Sequence, residues 1–231
     1  MRATLLTIFS VIILVPCSIV LFGAFKSDIK IISEPLALPD SWSFDNFKHL
    51  FSSGRLLLPA RNSLLVSSAS VFITILLATM AAFAIARSIT ISGKILFLLF
   101  SIGLAIPGQV NIIPIYLLFL KLHLTNSLLG LILVNIALTL PISIFIITAF
   151  IKDLPKEMFE VASIDGASPF RTYRSIALPL ARPAIGATSI FLFVITWNDL
   201  LYPLMLITEN SKKTLPLMMI DFKGEFMTQY S

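Results

Sequence analysis

Five runs of predominantly apolar residues, each about as long as a bilayer's hydrocarbon core is thick, constrain this chain more than any other feature. They extend from about Thr4 to Phe25, between Arg61 and Arg87, between Lys94 and Lys121, from about Ser127 to Ile151, and from about Pro183 to Ile207. A helix needs roughly 20 such residues to cross a membrane, so the pattern predicts five spanning helices. The rest of the composition agrees. Of the 231 residues, 57% are hydrophobic and 13% charged, against roughly 25% charged in a soluble domain. That supply of charge cannot coat a globular surface, and the expected class is an all-α polytopic membrane protein. The formal charge of +5 needs no nucleic acid to explain it, because basic residues flank the spans.

The first run is too long for a signal-peptide core and no small-residue cleavage pattern follows it, so it reads as a membrane helix. The one cysteine, Cys17, follows Leu14-Val15-Pro16 rather than the small residues of a lipoprotein signal, and is expected to pack in a core. Lys26 to Ala60 is a hydrophilic connection in which Pro35, Pro39 and Ser41-Trp42-Ser43 indicate loop and Asp45 to Phe51 a short surface helix. A polar tail, Thr208 to Ser231, closes the sequence. An odd number of spans puts the termini on opposite sides. Lysines and arginines divide eight against nine between the two sides, so the positive-inside rule does not orient the chain.

Three runs carry polar or helix-breaking residues. The third holds Pro107-Gly108-Gln109, then Asn111 and Pro114. Proline removes a donor and glycine loosens the helix, leaving carbonyls that must face protein or a water-filled path. Pro107, Gly108, Gln109 and Asn111 therefore read either as a translocation wall or as a packing kink. In the fourth, Pro141 has Thr139 and Ser143 beside it, hydroxyls suited to taking up freed carbonyls in a structural kink. The fifth ends in Trp197-Asn198-Asp199 and Tyr202-Pro203. Trp197 and Tyr202 fit an aromatic interfacial belt. Asn198 and Asp199 fit that interface or a polar mouth on a pathway.

No GxxxxGK[ST] phosphate loop occurs, His49 and His123 are the only histidines, and no serine, histidine and acid set suggests a nucleophile. No cofactor or metal is expected. The classes left are a transporter subunit, a channel-like oligomer and a membrane scaffold.

Between the fourth and fifth runs lies a dense mixed-charge insert, Lys152 to Pro183. Pro155 suits the first turn of a helix, and Glu157 and Glu160 fall where a helix favours negative charge. Met158, Val161 and Ala162 are spaced to share an apolar face. Asp165-Gly166 breaks the helix, Gly166 being able to take a positive φ. Ser168 as N-cap and Pro169 as first residue start a second helix. Phe170, Tyr173 and Ala177 share its face, and Leu178-Pro179 stops it. Two short helices around a glycine turn, with faces too small to make a core, predict docking on a protein partner rather than rest on lipid headgroups.

The string Glu160-Val161-Ala162, Asp165-Gly166-Ala167, Phe170, Ile176, Leu178-Pro179 resembles the "EAA" loop of permease subunits in binding-protein-dependent ABC importers, with Val161 where that family has alanine. Ile106-Pro107-Gly108-Gln109-Val110, Asn126-Ser127-Leu128-Leu129-Gly130-Leu131, Trp197-Asn198-Asp199, Tyr202-Pro203-Leu204 and Thr214-Leu215-Pro216 are similar to sugar-importer permeases of the maltose-permease type. The resemblance implies a type I ABC importer transmembrane fold, with a first helix and external loop over 1–59 and the permease domain over 60–231. It implies that Glu160, Ala162, Asp165, Gly166, Ala167, Phe170, Ile176, Leu178 and Pro179 form a cytoplasmic coupling loop seated in an ATPase subunit. The N-terminus would then be inside and Lys26 to Ala60 outside. Implied partners are ABC ATPase subunits, a second, paralogous permease, an extracytoplasmic solute-binding protein, a sugar and membrane lipid. ATP hydrolysis would belong to the separate ATPase. Such permeases continue beyond a position like Tyr230-Ser231 into a sixth span. Another binding-protein-delivered solute, such as a polyamine, glycerol-phosphate or amino acid, and a secondary transporter or channel are the alternatives.

Overall fold

The structure, a computed structural model, describes residues 2–26, 28–44, 47–48 and 56–228. Of the surface helix expected over Asp45 to Phe51 only Phe47 and Lys48 fall among them; the remainder lies outside, as do Tyr230 and Ser231. The chain divides into two compact units, Met1–Leu57 and Leu58–Ser231.

In the first unit, helix α1 (Arg2–Gly23) contains Pro16 and presents Leu5, Leu6, Phe9, Ile12 and Leu14 outward. Its Cys17 is exposed, which corrects the expected core packing. An apolar thiol on a helix of mean hydropathy 2.8 suits hydrocarbon as well as it suits a core. The short α2 (Asp28–Ser33) follows, and the buried Lys26 ammonium donates to the carbonyls of Glu34 and Pro35. Phe25 packs edge-on against Trp42, ring centroids 5.2 Å apart.

The second unit is built around α6 (Leu128–Lys152), the most buried of the long apolar helices. Helix α3 (Leu57–Arg87) meets it through small and hydroxyl side chains. Ser63, Ser67, Ser70, Thr74, Ala78 and Ala82 recur every three or four residues and are all buried. Small residues allow close backbone approach where hydrocarbon supplies no hydrophobic drive, and hydroxyls bond across the gap. Ser70 Oγ donates to the Ile132 carbonyl at 3.4 Å. Thr74 and Thr139 hydroxyls are 3.2 Å apart; Thr139 gives its proton to the Asn135 carbonyl, which leaves Thr74 as the donor between them. One cluster of buried side chains, including Val66, Phe119, Leu131, Tyr202 and Leu206, lies at the Asn62 end of α3. A second, including Ala78, Ala82, Ile144, Ile147 and Ile151, lies at the Arg87 end.

The third run is two helices, not one. Helix α4 (Ile91–Ala105) packs on α6, where Gly103 closes on Pro141. It ends because Ile106 precedes Pro107 and is driven into extended backbone, φ −88° and ψ 112°. A 3₁₀ turn (Gly108–Asn111) leads into α5 (Ile112–Lys121), which tolerates Pro114 in its first turn. The two arms meet at 88°. Pro141, by contrast, sits inside an unbroken α6. Its neighbours do not serve the Ala137 carbonyl that Pro141 frees: Thr139 bonds to Asn135 and Ser143 to Thr139, each at 2.7 Å.

After α6 come α7 (Lys156–Ile164) and α8 (Pro169–Leu180), then α9 (Arg182–Trp197), α10 (Leu201–Leu206) and α11 (Leu215–Thr228). Helix α9 packs on α6, and α10 on both α5 and α6. Helices α8 and α9 meet at 73°. Among the described residues, three helices are long and apolar enough to cross a membrane, and five crossings result if each bent pair counts as one.

Candidate functional site

The insert folds as the two helices the sequence indicates, and hydrogen bonds explain the turn between them. Asp165 ends α7, and Gly166 adopts φ +72°. Its N–H bonds to the Ser163 carbonyl at 3.1 Å, and the Ala167 N–H to the Ala162 carbonyl at 2.9 Å. This paired closure satisfies carbonyls that a helix end otherwise leaves bare. Ser168 Oγ then accepts from the Arg171 N–H, capping α8 with Pro169 in its first turn; such a cap is worth about 1 kcal/mol.

Two expectations are corrected. Helix α8 does not stop at Leu178-Pro179 but runs to Leu180, because a π turn over Tyr173–Ala177 precedes the proline. The Leu178 N–H reaches back five residues to the Tyr173 carbonyl. That wider turn accommodates the missing donor and the bulk of Pro179. The apolar face of α7 also divides differently. Phe159 and Ala162 are buried, whereas Met158, Val161 and Ile164 point outward with Phe170 of α8. The inward position is taken by Phe159 because aromatic and cationic partners await it on α3. The Arg87 guanidinium lies 4.3 Å from the Phe159 ring centre, a cation–π contact worth about 0.5–1 kcal/mol. Phe83 lies 6.5 Å from Phe159 and 5.6 Å from Tyr173. The Tyr173 hydroxyl donates to Thr79 Oγ1 at 2.9 Å, Thr79 giving its own proton to the Leu76 carbonyl.

Four of the predicted loop residues, Ala162, Asp165, Ala167 and Ile176, line a groove of about 560 Å³ between α7 and α8, with Arg171 on its wall. Glu160, Asp165, Gly166 and Phe170 are exposed, and Leu178 and Pro179 are half-buried. Leu178 and Pro179 border a larger groove of about 900 Å³ between α3, α8 and α9, which is mainly apolar and has Arg174 and Arg182 at one end.

Of the second set of predicted residues, Gly108 is tied to the segment that carries Asn198 and Asp199 through Tyr202, which packs with Val66 toward the opposite end of α3 from Arg87. Tyr202 is buried, not part of a belt, and its hydroxyl donates to the Gly108 carbonyl at 3.0 Å. This joins the break after α4 to the segment after α9. Trp197 is half-buried and stacks on Phe193. Asn198 is exposed and turns back on its own helix, donating to the Val194 carbonyl at 2.8 Å. Asp199 Oδ1 accepts from the Leu201 N–H, while its buried Oδ2 has no hydrogen-bond partner among the described residues. Pro107 and Gln109 are exposed and Asn111 is half-buried.

Several organising residues were given no structural role from sequence: Asn62, Ser63 and Glu209 were not singled out, and Asn126 and Gly130 stood only within a string that resembles sugar-importer permeases. Asn62 donates to the carbonyls of Ser211 and Lys213, and Ser63 Oγ accepts from the Leu215 N–H, so α3 holds the segment leading into α11. Asn126, at φ 52°, accepts from the N–H groups of Thr208 and Glu209. Lys212 and Ser211 beside Glu209 hold its carboxyl below the ordinary range. Gly130 has the Leu124 carbonyl where a Cβ would sit. The spacing of 62, 63, 67, 70 and 74 in an apolar run was the available signal for the α3 residues.

An all-helical membrane subunit with a capped helix–turn–helix presented beside its bundle is the class this geometry defines. Residues 70–230 match the family described as binding-protein-dependent transport system inner membrane component, and the chain belongs to that family. It is 34% identical over 208 residues to the diacetylchitobiose uptake system permease protein NgcG of Streptomyces coelicolor, covering 90% of this chain and 69% of that one. It is 32% identical over 233 residues to the multiple sugar-binding transport system permease protein MsmG of Streptococcus mutans, covering 99% and 83%. It is 30% identical over 218 residues to the trehalose/maltose transport system permease protein MalG of Thermococcus litoralis, covering 93% and 78%. A chain of a bacterial ABC transporter that imports the acidic polysaccharide alginate has the same fold. It superposes with a TM-score of 0.77 at 17% identity, over 98% of this chain and 84% of that one.

Proposed function

We propose that this permease subunit carries a sugar or oligosaccharide across the cytoplasmic membrane in an ATP-driven importer, with hydrolysis on separate ATPase subunits. The outward set Met158, Val161, Ile164 and Phe170, grouped around the groove between α7 and α8, carries the docking half of the proposal. A soluble partner is the natural cover for apolar side chains grouped on a charged loop. Diacetylchitobiose, trehalose and maltose in the names of the relatives support the carbohydrate half.

In this mechanism residues 60–231 form the permease domain and pair with a second, paralogous permease. Glu160, Ala162, Asp165, Gly166, Ala167, Phe170, Ile176, Leu178 and Pro179 make up the coupling loop on the cytoplasmic side, the same side as the N-terminus. Closure of the ATPase pair displaces the loop and switches the spans between inward-open and outward-open, a two-state change driven by differential affinity. A binding protein delivers sugar at the outer face. Pro107, Gly108, Gln109, Asn111, Asn198 and Asp199, around the Tyr202–Gly108 bond, border the outer part of the path.

The test is purification of the chain with its partners, followed by uptake into vesicles. Co-purification of an ATPase and ATP-dependent entry of labelled diacetylchitobiose or maltose are expected. Uptake that survives without ATP and collapses with the ion gradient would overturn the proposal.

A further inference from the structure

Among the described residues, the side-chain hydrogen bond, ring contacts and cation–π contact that α7 and α8 make outside the loop all end on one helix, α3. They end on one stripe of it: Thr79, Phe83 and Arg87, four residues apart. Arg87 covers Phe159 of α7, Phe83 touches both Phe159 and Tyr173, and Thr79 holds the Tyr173 hydroxyl. The stripe therefore grips both limbs of the loop across the Gly166 turn. The gripped end belongs to a helix that runs 31 residues without a break, about 46 Å at 1.5 Å per residue. At its other end Asn62 and Ser63 hold the segment between α10 and α11. Between the two ends α3 forms one wall of the larger groove through Ser68, Val71, Phe72, Ile75 and Leu76.

We infer that the Thr79–Phe83–Arg87 stripe is the linkage that passes displacement of the loop to α3, and through α3 to the groove wall and the far segment. Thr79, Phe83, Arg87, Phe159 and Tyr173 are positioning residues in this scheme; none need touch the transported molecule. Tight packing favours it, since well-packed elements shift as units rather than deform. The Tyr173–Thr79 bond is buried, so water does not compete for it. The inference rests on the proposal that an ATPase drives the loop.

The experiment uses the purified transporter with its ATPase, with Cys17→Ser, Ser163→Cys and Met80→Cys in this chain. Ser163 on α7 and Met80 on α3 are both exposed and take nitroxide labels. Their separation is measured by pulsed electron resonance before and after ATP turnover with vanadate, which traps ADP on the ATPase. With the linkage intact, loop and helix move together, and the separation should not change on trapping. Tyr173→Phe and Thr79→Val should leave the separation before trapping as in the parent, and trapping should then shift or broaden it. Thr79→Ser, which keeps the hydroxyl, should behave as the parent. A parent whose separation already shifts, or Tyr173→Phe and Thr79→Val variants that stay as rigid as the parent, would overturn the linkage. Failure to trap nucleotide in the parent complex would overturn the ATPase proposal itself, and is read separately as bound nucleotide.

Discussion

The hydroxyl of Tyr202 donates a 3.0 Å hydrogen bond to the carbonyl of Gly108, joining the end of the fifth apolar run to the break in the third. The carbonyl follows Pro107, in a stretch that has left the α-helix, and Tyr202 is itself buried. Tyr202→Phe keeps the ring and removes the bond. Leaving one acceptor without its donor should lower stability by about 1 kcal/mol, read as a lower melting midpoint of the purified transporter. A midpoint equal to the parent's would show that the hydroxyl does not hold the break.

Of two glycines in the motifs, only one should resist the same substitution. At Gly130 an added Cβ would lie 2.2 Å from the Leu124 carbonyl oxygen, which is backbone and cannot turn aside. At Gly108 it would meet only the Tyr202 hydroxyl, at 3.5 Å, an ordinary contact. Gly130→Ala should therefore cost about 1–3 kcal/mol, as overpacking does, while Gly108→Ala stays near the parent. Melting of the two variants side by side checks the order.

What the sequence made legible were features set by local chemistry. The N-cap Ser168, the turn at Gly166 and the break at Pro107 each follow from one or two residues and their neighbours in the chain. Features set by a distant partner were not legible. The side of α7 turned inward depended on Phe83 and Arg87, more than 70 residues earlier, and periodicity alone could not choose Phe159 over Met158. Pro179 read as a stop because nothing local foretells a π turn. Tyr202 read as interfacial because its acceptor, the Gly108 carbonyl, belongs to the turn between α4 and α5, 94 residues earlier in the chain. Of the loop residues, four line the α7–α8 groove. Asn198 and Asp199 lie near Tyr202, but Asn198 turns back to its own helix.

At Gly166 conformation, not space, sets the constraint: φ is +72° and a Cβ would meet nothing within 4 Å. A left-handed residue costs most side chains about 1–2 kcal/mol, and asparagine less. Uptake per ATP hydrolysed should therefore fall in the order Gly166→Asn, Gly166→Ala, Gly166→Val, with β-branched valine worst, while the protein stays in the membrane. Asparagine is larger than alanine, so an order that follows volume would point to crowding by the ATPase instead. Sugar-stimulated hydrolysis and uptake at the parent's ratio in Gly166→Val would remove the turn from the coupling scheme.

The outward face of the loop makes the sharpest separation between folding and docking. Ile164 is 84% exposed and Phe159 4% exposed, although both stand on the same nine-residue helix. Ile164→Asp removes almost no contact within this chain, so its effect on stability should stay within about 0.5 kcal/mol. Placed beneath a partner, the same carboxylate would be buried without a counter-charge. A central interface position commonly costs at least about 2 kcal/mol when damaged, which at 1.4 kcal/mol per decade is roughly a thirtyfold loss of ATPase affinity. Phe159→Asp should instead destabilise the loop itself, by removing the buried ring that Phe83 and Arg87 pack against. Ile89→Asp serves as a control, since Ile89 is 98% exposed just beyond α3 and outside the loop; it should leave both affinity and melting unchanged. Titration of detergent-purified permease with the ATPase, alongside melting of each variant, distinguishes the three. If Ile164→Asp binds the ATPase as the parent does, the partner does not cover this face, and the docking surface must be sought in the α7–α8 groove alone.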